Sequence, residues 1–158
     1  MLIMPLIKIR NVMNYLRKCD GCTACCEGWL HGQAEGQYFQ AGRPCHFKCE
    51  KGCSIYENRP ENPCRTYECE WKTNLEIPEW MKPNLSGVII TRRNWKNGEY
   101  LEINEMGNTI KSVVLNWLFI HHCTTGVPIR VQVSGGWNNF GPKEFLNEMN
   151  GIRVLTDH

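Results

Sequence analysis

Nine of the ten cysteines in this 158-residue chain fall between Cys19 and Cys69, and their spacing is that of metal ligands. The run Cys19-Asp-Gly-Cys22-Thr-Ala-Cys25-Cys26 makes two successive CxxC steps, and Cys45, Cys49, Cys53, Cys64 and Cys69 follow it. A two-residue spacer lets both sulfurs face one centre within a tight turn, where nearby backbone N–H groups stabilise thiolate charge. Three cysteines at i, i+3 and i+6 with a remote fourth suit a 4Fe-4S cluster, and four thiolates arranged tetrahedrally suit zinc equally well. Spacing does not separate these two metals. Neighbouring Cys25 and Cys26 point in different directions in most backbone conformations, which favours their serving different centres or one being spare. The competing chemistry is a disulfide framework, which belongs to oxidising compartments.

The ordered motifs resemble a known family. Cys19 to Cys26, Gly42-Arg-Pro-Cys45 and Cys53-Ser-Ile-Tyr56-Glu-Asn-Arg59-Pro60-Glu-Asn-Pro-Cys64-Arg65-Thr-Tyr67-Glu-Cys69 are similar to the CxxCxxCC (YkgJ-type) zinc- or iron-chelating domain family. The resemblance covers residues 19 to 70. It implies eight ligands, Cys19, Cys22, Cys25, Cys26, Cys45, Cys53, Cys64 and Cys69, with Cys49 an addition. Three residues separate Pro60 from Cys64 where the family typically has two, and Glu68 stands where proline is common. Eight thiolates fill two four-ligand sites, or one site with spare cysteines nearby. Four thiolates on one zinc carry a net charge of about −2, so a neighbouring cation is expected, and Arg59 and Arg65 are the candidates to support the bound group.

The elements that must position these residues follow from composition. From Cys19 to about Trp71 the chain is rich in Gly, Cys, Pro and Glu and lacks the apolar periodicity of a helix. Such a segment buries little apolar surface, so ligation must supply what a core does not. Residues 1 to 18 read as an arm with a turn of helix around Val12 to Arg17, and residues 72 to 158 as an α+β scaffold. There, Gly87 to Arg93 and Tyr100 to Ile103 read as strands of a hairpin, with Asn97-Gly98 predicted as the centre of a type I′ turn. Asn108 or Thr109 is predicted to cap an amphipathic helix with Ile110, Val113, Val114, Trp117, Leu118 and His121 on one face. Ile129 to Val133 alternates as a strand ended by Gly135-Gly136, and Pro142 suits the start of a short helix through Phe145 and Met149. The expected fold is α+β, a small irregular cysteine-rich lobe (19–71) packed on a small α+β half with a hairpin and one amphipathic helix.

The formal charge of +2 advertises no polyanion partner, and Cys19 to Cys69 carries seven acidic against five basic residues, which argues against nucleic acid. The apolar opening Met1 to Ile7 is stopped by Lys8 and Arg10, so neither a membrane span nor a secretory signal is expected, and the cytoplasm is the expected compartment. His46 beside Cys45, and His121 and His122 beside Cys123, invite ligand roles, although histidines at a helix end usually pack or meet the helix dipole. Arg92, Arg93, Trp95 and Lys96 mix basic and aromatic groups but read as a solvated hairpin tip, and Asp20 or Glu27 can move protons only if something selects them. The six tryptophans, Trp29, Trp71, Trp80, Trp95, Trp117 and Trp137, are expected to close over the metal lobe or to form a protein interface through the C-terminal half. The leading expectation is a zinc or iron-sulfur protein in a structural, metal-handling or electron-transfer role. Its competitors are an assembly component, such as a phage particle protein in a virion, and an iron-sulfur oxidoreductase.

Overall fold

A computed structural model describes residues 17–27, 29–30, 32–40, 43–107, 109–134 and 136–156, with side chains described as far as residue 151. Residues 1–16 of the arm, with nearly all of the helical turn expected over Val12 to Arg17, and the proposed cap Asn108 therefore lie outside the described residues. The fold is α+β. The chain divides into two compact units, Met1–Leu85 and Ser86–His158, so the boundary falls later than the one expected after Trp71.

The first unit is built from short elements. After a 3-10 turn at Cys25–Glu27 come β1 (Gly32–Ala34) and β2 (Gln37–Phe39), an antiparallel hairpin, and then β3 (Lys48–Cys49) and β4 (Gly52–Cys53), a second one. Glu35 and Gly36 take φ of 46° and 79°, the two positive values a type I′ turn requires. A 3-10 turn at Tyr56–Asn58 leads into a wide turn at Glu61–Arg65, interrupted at Asn62, whose backbone is extended because the Pro63 ring disfavours helical geometry before it. The turn helix α1 (Glu70–Thr73) follows, and α2 (Pro83–Ser86) closes the unit at its boundary. Ala34, Phe39 and Cys45 form a small buried cluster against which Cys26, Leu30, Phe47 and Cys64 pack. Arg17 ties down the segment after α1. Its guanidinium donates to the carbonyls of Trp71, Asn74 (3.0 Å) and Ile77 (2.7 Å) and pairs with Glu79 at 3.2 Å.

The second unit is a four-stranded sheet in the order β5 (Val88–Trp95), β6 (Gly98–Glu105), β7 (Ile129–Val133), β8 (Gly136–Phe140). β5 pairs antiparallel with β6, and β6 runs parallel to β7, which requires a crossover that the 14-residue helix α3 (Ser112–Thr125) supplies. Helix α4 (Lys143–Thr156) follows Pro142 and buries Phe145 and Met149 on a core with Tyr100, to which Trp95 and Leu146 add.

Several expectations are corrected here. Trp95 pairs with Gly98, so the hairpin turn centres on Lys96 and Asn97, neither of which has positive φ, and Gly98 takes φ of 149° instead. Helix α3 starts at Ser112 after Lys111, without a side-chain cap, so Thr109 does not cap it; Val114 and Leu118 are buried but Val113 is 55% exposed. β7 ends at Val133 as expected, and Gly136 also begins β8, a strand not expected, paired with Val133. The C-terminal half therefore holds the expected hairpin as β5 and β6 of a four-stranded mixed sheet, and two long helices, of which α4 runs past the short helix expected after Pro142. Among the described residues, no helix is long and apolar enough to cross a membrane.

Candidate metal centre

The cysteines reach their positions through local turns. Cys22 N–H donates to the Cys19 carbonyl at 2.7 Å, closing a β-turn in which Gly21 sits at φ 71°, a region that disfavours side chains. The 3-10 turn carries Cys25 and Cys26, and Cys45 N–H donates to the Cys26 carbonyl at 2.7 Å, which brings Cys45 onto this turn. Ser54 N–H returns to the Phe47 carbonyl at 2.9 Å and holds Cys53 beside the second hairpin. The side of β1 lies so close to Pro63 that a Cβ on Gly32 would stand 2.4 Å from Pro63 Cγ, and this contact sets the turn bearing Cys64. Cys69 is the residue before α1.

All eight thiols implied as ligands line one cavity of about 300 Å³ in the first unit. Cys49 is exposed and off its wall, and so is Cys123, which lies in the other unit. All ten cysteines carry free thiols. Ala24, Ala34, Phe39, Trp71 and Pro83 supply apolar wall, and Arg59 and Lys72 bring cationic side chains to it.

Electrostatics divides these thiols. Negative charge on one sulfur disfavours ionisation of another nearby, so the cysteines that raise a given thiol are its neighbours. Burial pushes the Cys25 thiol well above its ordinary value, followed by Cys69, Cys22, Cys19 and, least, Cys26. Burial pushes Cys26 up to about 12, joined by Cys53, Cys45 and Cys64 and by a hydrogen bond with the Cys53 thiol. Burial raises Cys64, with Cys45 and Cys53 adding and Arg59 opposing. Cys69 is pushed up to about 11 by burial; the backbone N–H groups of Lys72 and Trp71 oppose this while Cys19 and Cys22 add to it. Cys19 is raised by burial and Cys22, against the pull of Lys72, Arg59 and Lys82.

The cations are held in place. Lys72 pairs with Glu68; burial lowers its pKa, but Glu68 and Cys19 outweigh burial and keep the ammonium charged. Lys82 donates to the Asp20 carbonyl at 2.7 Å and lies over the Trp71 ring. Arg59 stacks on Tyr56 at 3.8 Å, and its Nε is buried and has no hydrogen-bond partner among the described residues. Arg65 is placed differently from its partner candidate. Its guanidinium donates to the carbonyls of Arg59 and Glu57, both at 2.8 Å, and so braces the loop that carries Arg59 without lining the cavity.

No family model, curated protein or solved structure matches this chain. The chemistry of the centre therefore rests on its own residues. Among the described residues, no group of three or more His, Cys, Asp or Glu side chains is already arranged to hold a metal ion. The donor set itself fits a thiophilic metal, since eight sulfurs share one wall with cations and an unpaired N–H donor beside them.

The other candidates lie elsewhere. His46 is exposed and packs edge-on to Phe47. His122 donates from Nδ1 to the Val127 carbonyl at 2.7 Å, and His121 stacks on Trp117. Arg92 pairs with Glu99 and Arg93 with Glu102 across the hairpin, which uses the charge that a nucleic-acid contact needs. Asp20 lines the cavity, whereas Glu27 accepts from Thr23 at 2.6 Å and pairs with Lys48, and the Thr23 bond is the main cause of its lowered pKa. Of the six tryptophans only Trp71 is on the cavity wall. Sequence reasoning missed Lys72 and Lys82. The first had a readable signal in its i,i+4 spacing from Glu68; the second had none, because it acts on Cys19 from far along the chain.

Proposed function

We propose that this chain is a metal-binding protein whose cysteine cluster holds zinc or an iron-sulfur group, in a structural, metal-handling or electron-transfer role. The observation that carries the reading is the shared cavity wall: the eight cysteines that the resemblance implies as ligands are on it, and Cys49 and Cys123 are off it. A bound metal would supply charge and ligation to a unit that has little apolar core of its own.

The residues divide the work between them. Thiols that burial keeps protonated give up protons on binding, so the metal displaces protons from Cys19, Cys25, Cys26, Cys64 and Cys69. Lys72, Lys82 and Arg59 then offset the thiolate charge that remains, and the N–H groups of Trp71 and Lys72 favour the Cys69 thiolate.

The test is metal and acid-labile sulfide analysis of protein purified without air. Stoichiometric zinc in colourless protein, or iron and sulfide in brown protein bleached by dithionite, supports the reading and selects the metal. Cys22→Ser or Cys64→Ser lowers bound metal, and Cys123→Ser leaves it unchanged. Folded protein that carries no metal and has its cluster cysteines paired as disulfides refutes it.

A further inference from the structure

We propose that the cavity holds two separate four-thiolate centres, one formed by Cys19, Cys22, Cys25 and Cys69 and the other by Cys26, Cys45, Cys53 and Cys64. The proposal rests on the metal-binding reading above and goes further, because it assigns every ligand to a partner set and gives the second set a metal of its own.

Packing and hydrogen bonding define the second set. Cys26, Cys64 and Phe47 pack with Cys45 in one cluster, the Cys45 backbone N–H is bonded to the Cys26 carbonyl at 2.7 Å, and the Phe47 carbonyl accepts at 2.9 Å from the N–H of Ser54, next to Cys53. The first set is joined by the Cys19–Cys22 turn and by Lys82, which donates to the Asp20 carbonyl within that turn and lies over the ring of Trp71, two residues past Cys69. Mutual charge effects give the same division. Cys26 is raised by Cys53, Cys45 and Cys64, and Cys69 is raised by Cys19 and Cys22. Cys25 is raised more by Cys69, Cys22 and Cys19 than by Cys26, its neighbour in the other set.

The chain geometry between these neighbours explains why adjacent cysteines serve different centres. Cys25 and Cys26 open a 3-10 turn, in which about three residues complete a turn, so consecutive side chains diverge by about 120°. One therefore faces each set. Arg59 stands between the two. It acts on Cys19 in the first set and on Cys64 in the second, and its buried Nε is free to donate to a metal-bound sulfur. Four thiolates with one divalent ion leave a −2 charge at each centre. Lys72 and Lys82 serve the first, and the shared Arg59 serves both. The class of ligand is a thiophilic metal bound by four sulfurs, either a zinc ion or an iron-sulfur cluster at each centre.

Anaerobic metal titration with zinc, followed by thiol alkylation and peptide mass spectrometry, tests the assignment. Wild-type protein is expected to bind two equivalents, with protein carrying one equivalent protecting four thiols as a block. Cys64→Ser is expected to halve the bound metal and expose Cys26, Cys45 and Cys53 to alkylation while Cys19, Cys22, Cys25 and Cys69 stay protected. Cys22→Ser gives the mirror pattern, Cys22→Ser/Cys69→Ser loses no more metal than Cys22→Ser, and Cys22→Ser/Cys64→Ser loses both equivalents. The wild-type blocks carry the test even where a variant fails to fold. Protein isolated with iron and sulfide is scored by the same protection pattern, with two clusters expected. One equivalent protecting all eight thiols together, or blocks of other membership, overturns the two-centre assignment and leaves metal binding intact. Wild-type protein that binds no metal overturns the parent reading instead.

Discussion

Replacing Gly32 with alanine tests how tightly the turn bearing Cys64 is built. A Cβ at this position would stand 2.4 Å from Pro63 Cγ, 2.8 Å from Pro63 Cδ and 3.3 Å from Phe39 Cζ. Carbon atoms rest at about 3.5 to 4.0 Å, so β1 and Pro63 must separate by about 1 Å. The proline ring can yield only through its pucker, which moves Cγ but leaves Cδ close, so much of the strain passes to the backbone on either side of it. Overpacking of this kind costs about 1 to 3 kcal/mol. In a unit of this size each kcal/mol lowers the melting temperature by roughly 4 to 8 °C. A displacement of about 1 Å at residue 63 also exceeds the roughly 0.2 Å tolerance of a metal–sulfur bond, so metal affinity falls with stability. Denaturant unfolding of metal-free Gly32→Ala, and competitive zinc titration of the loaded protein, read the two effects. Gly151→Ala is the control: it meets nothing within 4 Å inside a helix and is expected to stabilise by about 0.5 to 1 kcal/mol. A Gly32→Ala protein within about 0.5 kcal/mol of wild type, with unchanged zinc affinity, refutes the close approach of β1 to Pro63 and the positioning argument built on it.

Two further predictions follow from burial and charge. Thiols with folded pKa values raised to about 11 at Cys69 and about 12 at Cys26, against an ordinary 9.0, stabilise the metal-free fold fully below pH 9, and this contribution is lost as pH rises through 11 to 12. Metal binding has the opposite sign, since each ligand surrenders a proton, so zinc affinity rises with pH; thermal melts of metal-free protein from pH 8 to 12 and zinc titrations from pH 6 to 8 check the pair, and affinity independent of pH counts against thiol ligation. Phe145→Ala empties the centre of the second unit, where the ring is fully buried against Trp95 and Tyr100 at 5.4 and 5.2 Å, and is expected to cost about 3 to 5 kcal/mol in denaturant unfolding; a loss under 1 kcal/mol contradicts the packing.

The second unit was legible where its residues were one-sided. Val88 to Ile90 and Ile129 to Val131 are branched and buried, and the strands stand where the sequence predicts them. β8 was missed because Gly-Trp-Asn-Asn-Phe has neither alternation nor branched residues, and it exists by pairing with β7. The type I′ turn was predicted at Asn97-Gly98 and occurs at Glu35–Gly36, since the flanking register and not the dipeptide decides which residues take positive φ. In the first unit the eight thiols that the family resemblance implies as ligands line the cavity, and Cys49, which the resemblance sets apart, is exposed. The spacing did not reveal which thiols are neighbours. That depends on contacts such as Cys45 to Cys26 and Cys69 to Cys19, which no local rule encodes. Arg59 and Arg65 are equally basic in sequence, and only the carbonyls that engage Arg65 distinguish them.

A buried neutral thiol behaves as a small apolar group, so eight thiols around a cavity are open to reading as ordinary core. The cations argue otherwise. A core of neutral thiols gains nothing from charged groups at its wall, and it exacts a desolvation penalty from each of them. Yet Lys72 is kept charged by Glu68 despite burial, Lys82 is anchored by the Asp20 carbonyl, and Arg59 keeps a buried Nε unpaired. Each of the three lowers the Cys19 pKa, and Arg59 lowers that of Cys64 as well. Such an arrangement stabilises the cluster only when the sulfurs carry charge, and buried sulfurs whose own pKa values are pushed upward carry charge at neutral pH when a metal replaces their protons.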